Sequence, residues 1–178
     1  MGQFAIHKLF DNTKDIQRTY MFDMNIPDMS KYGIGDDELV IRCRTAVLPQ
    51  RSNEPIESSF MGMKRMFPGK PVFTHTLALT FEEFEDRKVS TALYNWQQDI
   101  FDIETNGAAL VKGKSDITRT ATLQLYGFDG EPINGGKNSK IEFHNAWIQD
   151  VAEVALDYTA SDSVKYAIML QYDRFEMR

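Results

Sequence analysis

Strict alternation of apolar and polar side chains constrains this chain more than any other feature, because a period of two is the mark of half-buried β-strands. In residues 72–81, Phe73, His75, Leu77, Leu79 and Phe81 point one way, and Val72, Thr74, Thr76, Ala78 and Thr80 the other. In 117–128, Ile117, Ala121, Leu123 and Leu125 oppose Thr118, Thr120, Thr122 and Gln124. The last stretch, 163–178, sets Val164, Tyr166, Ile168, Leu170 and Tyr172 on one side. Segments 17–26, 38–48, 56–67 and 139–151 complete about seven strands, rich in the Thr, Tyr, Phe, Val and Ile that suit a pleated surface.

One segment changes period. From Arg87 to Ile103 the apolar positions Val89, Leu93, Trp96, Ile100 and Ile103 are spaced by four and three residues, with Lys88, Asn95, Gln98, Asp99 and Asp102 opposite. That predicts one amphipathic helix over about 86–103, with Asp86 as its N-cap and Asn106-Gly107 as its stop. Asp129-Gly130 and Asn134-Gly135-Gly136 bracket a loop between two long strands, and Pro68-Gly69-Lys70-Pro71 is expected to close a hairpin. The fold class is mainly β: an antiparallel sandwich or barrel of about seven or eight strands with one flanking α-helix.

With 178 residues, 42% hydrophobic, the chain can fill one core, so the expectation is a single domain over 1–178 with a long hairpin arm at about 48–71. No run approaches the roughly 20 apolar residues of a membrane span, so no membrane anchor is expected. The first residues carry no basic region followed by an apolar one, which disfavours a signal peptide, and Ile6 breaks the myristoylation pattern that Gly2 invites. A net charge of −6 gives no bulk attraction for nucleic acid. The lone Cys43 can form no internal disulfide; in an alternating stretch it reads as a small buried hydrophobe rather than a catalytic thiol.

A search for chemistry finds no G-x-S-x-G, no P-loop and no H-E-x-x-H. His7, His75 and His144 are far apart; His75 and His144 could meet across a sheet, but no third metal ligand is suggested. The acids Glu82, Glu83, Glu85 and Asp86 read as a solvated corner at a helix N-terminus rather than paired catalytic carboxylates. The chain is therefore read as no enzyme, with no cofactor and no metal. The informative segment is 48–73. It carries Arg51, Glu54, Glu57, Lys64 and Arg65 of both signs beside Phe60, Met61, Met63, Met66 and Phe67. Alternation through one strand puts Phe60, Gly62, Lys64 and Met66 on one face and Met61, Met63, Arg65 and Phe67 on the other. Both faces then hold apolar groups, so the segment either docks on another chain or is a covered central strand of its own. Those ten charged and apolar residues are the candidate interface; Leu77, Leu79, Leu93, Trp96, Ile100, Leu123 and Trp147 are the expected core.

At this hairpin the sequence resembles the tail tube proteins of contractile-tailed bacteriophages. The resemblance runs through Leu48-Pro49 with Arg51-Ser52, the Phe60-Met61-Gly62-Met63-Lys64-Arg65 step and Pro68-Gly69-Lys70. It continues with the Thr-rich strand Val72 to Phe81, helical Trp96, residues 126–133, Trp147-Ile148 and the final strand. It covers roughly 17–176 as an ordered pattern of elements. What it implies is a structural virion protein, made in the host bacterial cytoplasm, whose hexameric rings stack into the inner tail tube. A sheath would lie outside, a baseplate or tube initiator at one end, and genomic DNA would pass through the lumen without sequence-specific binding. The lumen is then expected to be lined by acidic and polar groups, since a basic wall would trap a polyanion. The hairpin is the candidate arm toward a neighbouring subunit or ring, with the stretch before Gln17 and the last strand as secondary contacts. The YGIGDDE segment and the Gly-rich 127–137 depart from the pattern, as a sheath-facing decoration or as the mark of a tube-initiating relative. The alternatives are the ring-forming tube protein of type VI secretion and, in another class, a small-ligand β-barrel. An enzyme built on Glu82, Glu83 or His75 has no constellation behind it.

Overall fold

The computed structural model describes residues 16–102, 109–110 and 113–178. Its strands are β1 (Phe22–Asn25), β2 (Cys43–Ala46), β3 (Arg51–Phe60), β4 (Met63–Phe73), β5 (Thr76–Glu82), β6 (Phe101–Asp102), β7 (Ala109–Leu110), β8 (Arg119–Leu125), β9 (Lys140–Val151), β10 (Lys165–Gln171) and β11 (Arg174–Met177). The helices are α1 (Asp36–Arg42), α2 (Lys88–Ile100) and the single turn α3 (Lys114–Ile117). Seven strands form one antiparallel sheet in the order β1-β8-β9-β10-β5-β2, with β11 also on β9. β1 and β2 are not hydrogen-bonded to each other, so the sheet curls without closing into a barrel.

Strand β9 makes the curl. Its first half lies between β8 and β11, and its second half, Trp147 to Val151, lies beside β10. Between them Asn145 takes φ 56°, a left-handed conformation that Asn tolerates better than most residues, and its side-chain amide donates to Asp173 at 2.7 Å. This bend reverses the alternation. Ile141 and Phe143 face the core before it, Ala146 and Ile148 after it, and Trp147 is left half-buried on the outer side. Trp147 is thus outside the core, contrary to expectation, while Leu77, Leu79, Leu93, Trp96 and Leu123 are buried in it and Ile100 is partly buried against it.

The strand expected over 38–48 divides at Arg42. Asp36, Asp37 and Glu38 crowd the first turn of α1, where the helix dipole favours acids, and Leu39 and Arg42 turn inward one helical turn apart while Ile41 stays exposed. Two other expected strands divide as well. His75, at φ 54°, separates β4 from β5, and the turn at Tyr172 and Asp173 separates β10 from β11.

Helix α2 begins at Lys88 and ends at Ile100; Ile103 and the Asn106-Gly107 stop lie outside the described residues. Its first-turn amides are capped chiefly by Glu83, whose carboxylate accepts from Val89 N at 3.2 Å and Ser90 N at 2.7 Å, while Asp86 accepts only from Lys88 N at 3.4 Å. The acidic corner is therefore organised rather than solvated. The guanidinium of Arg42, buried to 2% exposure, donates to Asp86 at 2.9 and 2.5 Å and to Glu38 at 2.5 Å, with Glu83 at 3.5 Å. Trp96 seals the other end of α2: its indole N–H donates to the Ile117 carbonyl at 2.9 Å and its ring stacks with Tyr32.

Two outcomes follow from this packing. Trp96→Ala removes a fully buried aromatic and leaves the Ile117 carbonyl without its donor, so it should lower unfolding free energy by about 3–5 kcal/mol, read by thermal or urea melts. The Arg42 guanidinium holds the Asp86 carboxyl down at about 2, and Lys88 with Arg42 lowers Glu38. Carboxyls lowered on folding stabilise the native state above their ordinary range and lose that stabilisation as pH falls through the folded value. Stability should therefore drop between about pH 4 and 2, and Asp86→Asn should be less stable at pH 7 but lose less over that acid interval, in denaturant melts across pH.

The exposed hairpin as candidate assembly site

Strands β3 and β4 form a sheet of their own, a two-stranded antiparallel ribbon joined by Met61 and Gly62. Both turn residues have positive φ, 47° and 79°, the geometry that matches the right-handed twist of flanking strands. The reversal thus comes at Met61-Gly62, in the middle of what alternation reads as one strand. Pro68-Gly69-Lys70-Pro71, expected to be the turn, lies within β4 and forms a bulge where the register slips between Asn53 and Pro55. Gly69 is needed there for close approach: a Cβ on it would sit 2.3 Å from the Glu54 carbonyl oxygen.

Moving the turn redistributes the faces. Phe60 pairs with Met63, Ser58 with Arg65 and Ile56 with Phe67, so these six share one face. Glu57, Ser59, Lys64 and Met66 share the other, with a Glu57–Lys64 ion pair at 2.6 Å. The ribbon is therefore amphipathic, not apolar on both sides. The apolar face is uncovered: Phe60 is 76% and Met63 75% exposed, and Met61 at the tip 89%. Glu54 pairs with Lys70 at 3.3 Å, and Arg65 has no ionic or hydrogen-bonding partner among the described residues. The alternative of a covered central strand is corrected by this exposure, since every residue of β3 faces solvent.

The root is held to the body. The Arg51 guanidinium lies 4.6 Å from the Phe175 ring centre, Phe73 meets the same ring edge-on, and the Ser52 hydroxyl donates to the Val72 carbonyl at 3.2 Å. Arg51 thus anchors the arm to its own chain, while Phe60, Met61, Met63, Lys64, Arg65, Met66 and Phe67 lie toward its far end. Ten residues at about 3.4 Å each give β3 a length of about 34 Å.

The other residues considered for chemistry are occupied by structure. His75 Nδ1 lies 3.2 Å from the Tyr172 carbonyl, and its ring packs between Phe73 and Tyr172. His144 is brought to Glu142 and Glu176 rather than to His75, with ligand atoms within 4.8 Å of one another. Lys140 and Arg178 pair with Glu142 at 2.8 and 3.3 Å, and Arg174 and Arg178 with Glu176 at 3.3 and 3.2 Å. The carboxylates are thus already neutralised in an ion-pair ladder, which disfavours a cation there. Glu82 pairs with Arg44. Burial pushes the Cys43 thiol up to about 12, which leaves no thiolate nucleophile at neutral pH. His7 and the stretch up to Asp15 lie outside the described residues. No helix of the described residues is long and apolar enough to cross a membrane.

The fold is similar to that of chains from contractile injection machines. The sheath/tube terminator of an extracellular contractile injection system, PVC, superimposes with a TM-score of 0.64 at 20% identity, over 94% of this chain and 99% of that one. A chain of the PVC sheath-tube complex in its extended state gives 0.61 at 18%, covering 93% of each. The tube-terminating cap of the anti-feeding prophage gives 0.63 at 16%, over 94% and 93%. No curated protein matches the chain in sequence. The family model for phage tail tube proteins matches residues 9–178, and the chain belongs to that family.

Gly69→Ala should force the bulge apart. Hydrogen–deuterium exchange should accelerate across Ile56–Phe67, with the melting temperature of the body unchanged, because the ribbon is a separate sheet.

Proposed function

We propose that this chain is the building block of the inner tail tube of a contractile phage tail. It is a non-catalytic virion protein, made in the host cytoplasm, whose hexameric rings stack into a hollow conduit for DNA. The sheath surrounds the tube, and a baseplate or initiator nucleates it. The observation that carries this reading is the ribbon: Ile56, Phe60, Met63 and Phe67 form an apolar face that none of the described residues covers. Exposed apolar surface of this kind is retained where another molecule covers it. A subunit that must repeat can supply that cover from a copy of itself, in a head-to-tail contact that closes into a ring by rotation and then stacks. Arg65, with no ionic partner among the described residues, gives the contact a charge to set its register. The acidic balance of −6 suits a wall past which a polyanion must move.

Electron microscopy of the purified protein over a concentration series tests this. Rings and hollow tubes are the expected result, and a strictly monomeric particle at every concentration counts against it. Single rings that never stack would identify a tube-initiating or tube-terminating relative. Phe60→Ser with Met63→Ser, and separately Arg65→Glu, should abolish or sharply weaken assembly while leaving the thermal melt unchanged. Equal assembly of both variants removes the ribbon from the contact.

A further inference from the structure

Thioether sulfur is concentrated where the chain is most exposed. The sequence holds nine methionines, and the most exposed of those described all lie in the ribbon: Met61 at 89%, Met63 at 75% and Met66 at 62%. On the body, Met169 and Met177 are less exposed, Met21 is half-buried, and Met24 and Met29 are closed off in the core. The strand register gives the ribbon methionines different surroundings. Met61 is a turn residue at the tip, and Met66 lies opposite Glu57 on the polar face. Met63 alone of them sits on the apolar face, opposite Phe60 and two residues before Arg65, among the side chains that the proposed contact would cover.

Leu, Ile or Val could supply an apolar face as well as Met, but only Met brings a thioether that oxidants attack. Hydrogen peroxide transfers one oxygen atom to a lone pair of Sδ: an S–O bond forms, the peroxide O–O bond breaks, and water leaves. Sulfur is oxidised and the peroxide reduced. The product is a polar acceptor where an apolar, adaptable side chain had been. At Met66 that change stays in solvent, on the face of the Glu57–Lys64 ion pair. At Met63 the new oxygen must give up its water when a second copy covers the apolar face, which opposes docking. We propose that Met63 is an oxidation site that governs assembly. Peroxides convert it in the free subunit, the sulfoxide holds that subunit out of the tube, and the assembled contact shields it. A pair of thiols on a sulfoxide reductase reverses the step, forming a disulfide and carrying the oxygen off as water. The inference rests on the tube reading proposed above and adds a chemical control to the same face.

The test treats the free subunit with dilute hydrogen peroxide, maps sulfoxides by peptide mass spectrometry, and follows assembly by light scattering and electron microscopy. Met61, Met63 and Met66 should oxidise ahead of Met24 and Met29, with the melt of the body unchanged because the ribbon is a separate sheet. The concentration needed for assembly should rise by about tenfold or more, and sulfoxide reductase with dithiothreitol should restore it. Met63→Leu keeps the apolar character and volume, so it should assemble with or without peroxide. Met61→Leu and Met66→Leu should stay peroxide-sensitive, and Met63→Gln, a polar mimic of the sulfoxide, should be impaired with no oxidant present. Tubes formed before treatment should keep Met63 reduced. Normal assembly of subunits whose Met63 is oxidised would overturn the inference, as would a Met63→Leu chain that peroxide still blocks. Ready oxidation of Met63 within intact tubes would overturn it equally. If the untreated chain forms neither rings nor tubes, the tube reading itself fails and takes this inference with it, a result distinct from every oxidation pattern.

Discussion

The bend of β9 at Asn145 is the constraint on which the rest of the subunit depends. One strand of twelve residues serves both wings of the sheet, and it can do so only if its hydrogen-bonding direction and its inward face change partway along. A left-handed residue provides that change, and the side-chain bond from Asn145 to Asp173 ties it to the turn that reverses β10 into β11. With β9 bent, Phe143, Tyr172 and Phe175 come together as an aromatic cluster under the bend. Arg51 and Phe73 dock on Phe175, so the origin of the projecting ribbon is set by the same bend.

A second dependence runs through Arg42. A buried guanidinium is costly unless its donors are met, and here Glu38, Glu83 and Asp86 converge on it from α1 and from the segment between β5 and α2. Glu83 does two things at once, since the carboxylate near Arg42 also accepts the first amides of α2. The position of the long helix is thus coupled to the end of α1 through one ion cluster. The helix also buries Val89, Ala92, Leu93 and Trp96, so the ion cluster holds its first turn while the apolar core holds one face along its length.

Much of this was legible from side-chain periodicity, and where it was not the cause is physical. β5, β8 and β10 keep the plain alternation of a sheet buried on one side, and α2 keeps the helical stripe, so both periods read true. Trp147 was misplaced because alternation assumes a regular strand, and a single left-handed residue resets which parity faces inward. Segment 38–42 alternates as a strand does, yet Leu39 and Arg42 are also one helical turn apart; the acids ahead of them and the partners waiting for Arg42 decide for helix. Those partners are distant in sequence, as Glu83 and Asp86 lie more than forty positions on. The ribbon runs from Arg51 to Phe73, and its two faces differ from those that alternation through one strand predicts. Met61-Gly62 is a weaker turn signal than Pro68-Gly69-Lys70-Pro71, and the prolines belong instead to a bulge.

The ribbon's own stability bears on the self-association proposed above. An isolated two-stranded hairpin is marginally stable at best in water, since each strand satisfies one edge and leaves the other bare. Among the described residues β3 and β4 have no third strand, and nothing covers their apolar face beyond the root at Arg51 and Phe73. Pro55, Pro68 and Pro71 remove donors near the root, which discourages indiscriminate strand pairing there, while the outer part from Ile56 to Phe67 keeps its full set of backbone groups. The segment that most needs a partner is therefore also the one equipped to accept it. Covering Ile56, Phe60, Met63 and Phe67 would remove apolar surface from water and order the ribbon in the same event. On the tube reading proposed above, folding of the arm and joining of subunits would draw on one free energy, and the arm would reach its final order where a neighbouring copy is in place.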